Sequence, residues 1–96
     1  MIKHIVCFKL KDASENNLNE TANVLRSMEG KVPQLKSIEV GVDILKSERS
    51  YDIILIVTVD DRAALDAYQN DPYHCDVVKK HMHAVRESSI AIDYEI

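Results

Sequence analysis

The segment Tyr51-Asp-Ile-Ile-Leu-Ile-Val-Thr-Val59 constrains the fold of this chain more than any other. Ile53, Leu55 and Val57 alternate with Ile54 and Ile56, so a strand here is apolar on both sides. Such a strand cannot sit in a sheet with one wet face. Each face needs a cover, either helices of the same chain or something else.

The rest of the pattern supplies one cover. Residues 2–10 alternate in the same way: Ile2, His4, Val6, Phe8 and Leu10 share one face, and Ile5 and Cys7 share the other. Asp12-Ala13-Ser14 offers helix caps, and Leu18, Thr21, Ala22, Leu25 and Met28 follow at helical spacing. Gly30 stops that helix, with Pro33 just beyond. A strand is expected over residues 35–44, with Ile38, Val40 and Val42 on one face and Gly41 marking a bend or bulge. Lys46 to Ser50 forms a polar connection. Asp61 caps a short helix that carries Ala64, Leu65 and Tyr68. Asp71-Pro72 starts another, since Asp can accept from open backbone N–H groups and Pro fits the first helical position. That second helix carries Val78, Met82 and Val85, and residues 88–96 form a last strand with Ile90, Ile92 and Tyr94 on one face.

The order is βαββαβ with the second helix broken in two. It predicts an α+β fold, a ferredoxin-like antiparallel sheet with its helices on one face, in a single domain over residues 1–96. The face away from the helices carries Ile5, Cys7, Ile54 and Ile56. An apolar patch of that kind calls for a partner, and a second copy packed sheet against sheet about a two-fold axis is the simplest.

Composition excludes several function classes. The net charge is −4 and the basic residues are scattered, which does not suit nucleic-acid binding. No apolar run is long enough to span a bilayer, and the first residues carry Lys3 and His4 in a strand pattern where a signal peptide would have an apolar core. Cys7 and Cys75 lie far apart and are expected to be free thiols in a reducing cytoplasm. With only Gly30 and Gly41, no phosphate-cradling loop can be built, and no cofactor is expected.

The candidate chemistry lies at the helix break, in Tyr68-Gln-Asn-Asp-Pro-Tyr-His74. Tyr68 closes one helix and His74 opens the next. An imidazole can take a proton near neutrality, and a phenol can stabilise a developing oxyanion. The plainer reading makes Tyr68 a core anchor and His74 a surface residue of a first turn. His4 lies in an apolar strand face, where a buried imidazole must find a partner. His74 and His81 lie on roughly one face of a regular helix, with His83 on another. No carboxylate or thiolate is spaced with them as a metal site requires, so no metal is expected. Lys79 and Lys80 read as a solvated face, and Cys75 as a small packing residue.

The opening MIKHIVCFKLKD, the central SYDIILIVTV, the corner AYQNDPYH and the ending AIDYEI resemble the stress-responsive dimeric α/β-barrel (Dabb) family over essentially the whole chain. The resemblance implies a ferredoxin-like protomer whose sheet pairs with that of a second copy to form a barrel. One plant member, olivetolic acid cyclase, performs an intramolecular aldol condensation. By this resemblance its catalytic tyrosine falls on Tyr68, its catalytic histidine on His74 and an N-terminal pocket histidine on His4. Ile53 stands where that cyclase has a further pocket histidine, and Leu25 about where it has a tyrosine.

The expected function is the binding of a small, largely apolar organic molecule between sheet and helices of a cytoplasmic homodimer. Val6, Phe8, Leu25, Ile53, Leu55 and Tyr68 would form the walls, and His4 and His74 the polar contacts. The alternatives are a cofactor-free cyclase, isomerase or lyase with His74 as general base and Tyr68 as its partner, a dimeric-barrel monooxygenase, and a structural stress protein with a filled core.

Overall fold

The computed structural model describes residues 1–96. Its strands are β1 (Ile2–Leu10), β2 (Ser37–Val42), β3 (Ile53–Val59) and β4 (Arg86–Glu95). They form one antiparallel sheet in the order β2-β3-β1-β4, the ferredoxin-like arrangement. The helices are α1 (Glu15–Arg26), α2 (Arg62–Gln69) and α3 (Lys80–Val85), with a π-helical segment, His74–Lys79, leading into α3.

Local chemistry accounts for the element ends. Ser14 caps α1 by accepting from the Asn17 N–H, and Asp61 caps α2 by accepting from the Ala64 N–H. Leu18, Thr21, Ala22, Leu25 and Met28 are all buried, the stripe their spacing predicts. After α1 the chain turns at Gly30, whose φ of 79° is a left-handed conformation that glycine adopts without steric cost. The second strand stops at Val42, short of the expected 44. Asp43 accepts from the Lys46 N–H at 2.7 Å, which turns the chain, and Ile44 is left exposed. No loop separates α3 from β4, which follows it directly.

Gly41 is not a bulge. The β2–β3 pairing runs through it without a break, opposite Ile54. A Cβ there would lie 3.1 Å from Ile54 Cγ2, so the missing side chain makes room for Ile54. The sheet's irregularity falls instead between Lys9 and Leu10, where Asp52 accepts from the Leu10 N–H at 2.8 Å.

The register assigns the two faces. Ile2, Phe8, Leu10, Ile53, Leu55, Val57 and Val59 are buried under the helices, together with Leu25, Met28, Tyr68, Val78 and Met82. On the far side Ile54 pairs with Cys7, Cys7 with Ile90, Ile56 with Ile5 and Ile5 with Ile92. Ile90 and Ile92 are more than half exposed. That apolar face has no cover within the chain. Both cysteines are free, Cys7 on this face and Cys75 in the π-helical segment.

Candidate functional site

The corner between α2 and the π-helical segment is held by Asp71. Its carboxylate accepts from the His74 N–H at 3.1 Å and its carbonyl from the Cys75 N–H at 2.9 Å. Tyr73 ties the segment to α1, its hydroxyl 2.6 Å from Ser27 Oγ. A regular α-helix was expected from Pro72 onward, but the chain winds in a π turn over His74–Lys79. The wider turn shifts the angular position of everything after it. His81 therefore leaves the face of His74 and meets α1, its Nε2 3.0 Å from Thr21 Oγ1. Lys79 and His83 both border the cleft between this segment and the sheet.

Tyr68 lies at the centre of the site. It is fully buried, its ring stacks on His74 at 4.2 Å, and its ring meets His4 edge-on at 5.8 Å. Its hydroxyl has only a long contact to Met28 Sδ, at 3.9 Å. Burial pushes the Tyr68 phenol well above its ordinary range, and the negative charge of Asp71 adds to the effect. Tyr68 therefore stays protonated at neutral pH and can act only as a hydrogen-bond donor or acceptor.

His74 is not the surface residue of a first turn; it is buried at 7 % exposure. Its Nδ1–H donates to the Tyr68 carbonyl at 3.0 Å, which fixes the tautomer. Nε2 makes no hydrogen bond within the protein yet is open to solvent. Burial is the main cause that lowers the His74 pKa below 6.5, with Lys79 and His4 adding to it and the Tyr68 carbonyl and Asp71 opposing it. His74 is thus a neutral imidazole at pH 7 with a free lone pair.

His4 finds its partner on the edge strand: its Nδ1–H donates to the Asp93 carboxylate, across the β1–β4 register. Its Nε2, like that of His74, is unpaired and open. Asp93 was not anticipated. The signal was present, since Asp93 is a charged residue set directly between the Ile90-Ala-Ile92 run and Tyr94 on the strand.

Between the sheet and the π-helical segment lies a cleft of about 390 Å³. Val6, Phe8, Leu25, Leu55, Val78 and Met82 supply its apolar walls, and His4, Tyr68 and His74 also border it. Ile53 does not; it is packed in the core at 2 % exposure, opposite Phe8 and Val42. At the mouth stand Gln69, Lys79, His83, Arg86 and Ser89. Lys79 is therefore no plain solvated residue: it is half-buried and donates to the Gln69 carbonyl at 2.8 Å. Cys75 Sγ takes the same carbonyl at 3.3 Å and so packs against the end of α2.

No curated protein matches the chain. Solved structures do. A dimeric protein of unknown function with a ferredoxin-like fold from Bacteroides fragilis is 27% identical, with a TM-score of 0.84 over 99% of this chain and 95% of that one. A Dabb family protein from Mesorhizobium loti is 22% identical, with a TM-score of 0.85 over 99% and 95%. Hydroxynitrile lyase from Passiflora edulis is 16% identical, with a TM-score of 0.83 over 99% and 92%. No helix here is long and apolar enough to cross a membrane. Residues 2–96 match the family profile named for the stress responsive A/B barrel domain, and the chain belongs to that family, Dabb.

Proposed function

We propose that this protein binds a small, largely apolar organic molecule in the cleft between its sheet and helices, and does so as a homodimer. The cleft itself carries the reading. Apolar walls with two inward-facing imidazoles have the make-up of a small-molecule site, and about 390 Å³ lies within the usual range for one. A filled space would have left only a structural role. The dimer rests on the uncovered face with Ile5, Cys7, Ile54, Ile56, Ile90 and Ile92, and on the dimeric relative from Bacteroides fragilis.

The test uses a neutral apolar probe, 1-octanol, followed by amide NMR. Binding in the cleft shifts the amides of Val6, Leu55 and Val78 and spares those of Ile54 and Ile92. Val6→Phe narrows the cleft and weakens the response. Shifts confined to the far face of the sheet, or no saturable response, would defeat the reading.

A second reading is favoured by the state of His74. Its Nδ1–H is engaged by a carbonyl while Nε2 is neutral and free, the arrangement of a general base. In this reading the chain is a cofactor-free lyase, isomerase or cyclase. Nε2 takes a proton from an O–H or from a carbon beside a carbonyl, and the Tyr68 carbonyl steadies the imidazolium that results. The fold shared with hydroxynitrile lyase adds a concrete assay, release of benzaldehyde from mandelonitrile. Because His74 is buried and stacked, His74→Phe, which keeps the ring and loses the base, is the informative variant. Turnover by wild type that His74→Phe abolishes supports the base. Equal rates in the two proteins would sink it.

A further inference from the structure

The cleft has a charge asymmetry that an apolar ligand alone does not require. The chain carries a net charge of −4, yet no acidic side chain lines this cleft. Its mouth holds Lys79, His83 and Arg86, and Ser89 adds a hydroxyl. Of the acidic residues beside the site, Asp93 is taken up by His4 and Asp71 by the His74 N–H. The ion pairs of the chain are His4–Asp93 and Lys36–Asp60, so neither Lys79 nor Arg86 is neutralised by a carboxylate. Lys79 donates to a backbone carbonyl, and the Arg86 guanidinium makes no hydrogen bond within the protein. Both side chains are half-buried.

A half-buried guanidinium beside an apolar wall, with its planar set of donors unused, favours a planar anion. A cleft edged by one sign of charge also draws in ligands of the other sign. The elements are placed in order: Arg86 opens β4, Lys79 ends the π-helical segment, and the apolar walls of Leu25, Leu55, Val78 and Met82 lie in the same cleft. We infer that the cleft takes an amphipathic monocarboxylate, its apolar body against those walls and its carboxylate at the mouth between Arg86 and Lys79. The inference rests on the ligand-binding reading above and adds the chemical class.

The experiment compares matched pairs by titration calorimetry: octanoate against 1-octanol, and 4-ethylbenzoate against 4-ethylbenzyl alcohol. Each acid is expected to bind about tenfold or more tightly than its alcohol, the size of one charge-assisted hydrogen bond. The pair with the larger preference separates aliphatic from aromatic acids. In a Lys79→Met, Arg86→Met double variant the acid-to-alcohol ratio falls to about one. In wild type the ratio also shrinks between about 0.01 M and about 1 M salt, a readout that needs no variant. Alcohols that bind as well as the acids overturn the carboxylate and leave the apolar cleft standing. An acid preference that survives the double variant overturns the placement at the mouth. If neither acids nor alcohols bind, the ligand-binding reading falls and the inference with it.

Discussion

Tyr68 offers the sharpest separation between packing and chemistry. Tyr68→Ala removes a fully buried aromatic ring, and losses of that kind cost about 3–5 kcal/mol. The stack on His74 at 4.2 Å accounts for about 0.5–1.5 kcal/mol of this. Tyr68→Phe is different. It keeps the ring, the stack and the edge contact with His4, and it loses only the hydroxyl's 3.9 Å approach to Met28 Sδ. A good hydrogen bond contributes about 0.5–1.5 kcal/mol, and a long one to a thioether less. The phenol's desolvation cost is relieved at the same time. Tyr68→Phe is therefore expected to change stability by less than about 1 kcal/mol. Urea unfolding at one fixed protein concentration, read by linear extrapolation, measures both variants against wild type. A Phe variant destabilised by more than about 2 kcal/mol would mean that the hydroxyl has a strong buried partner, and the account of its contacts would be wrong. A Phe variant that keeps its stability but loses ligand affinity or turnover would assign the hydroxyl to the ligand.

Three further outcomes are expected. Ile54→Lys sets a charge in the middle of the uncovered sheet face; sedimentation should show a dimer for wild type and its loss in the variant, and a wild-type monomer at micromolar concentration would remove the basis for a barrel. The His74 pKa is lower in the folded chain than in the unfolded one, so the unfolded chain binds the extra proton as pH falls through about 6.5, and stability drops until the lower folded value is passed. His74→Phe should flatten that loss as pH falls from about 7 through about 6.5 and below, and parallel stability curves would show that His74 does not titrate this way. Gly30→Ala meets nothing within 4 Å but forces an alanine to a φ of 79°, so a cost of about 1–2 kcal/mol is expected from the backbone alone; an unchanged urea midpoint would show that the loop relaxes.

Much of the architecture was legible because burial leaves a period in a sequence. The two-faced apolar pattern of residues 53–57 demanded cover on both sides, and the stripe from Leu18 to Met28 named the helix that covers one. Asp71-Pro72 announced the corner that brings Tyr68 and His74 together, because capping is a local matter of one side chain and a few backbone groups. What the chain could not announce depends on geometry between elements. The π turn at His74–Lys79 has no signature in residue type, yet it sends His81 to Thr21 and leaves Lys79 and His83 bordering the cleft. Ile53 and Leu55 share a strand face and both are core residues, but position along that face lets only Leu55 border the cleft as well. Asp93 meets His4 only because β4 pairs with β1 in one particular register, at the opposite end of the chain. Local preference and periodicity are written residue by residue; the meeting of distant side chains is decided only when the sheet closes and the helices settle on it.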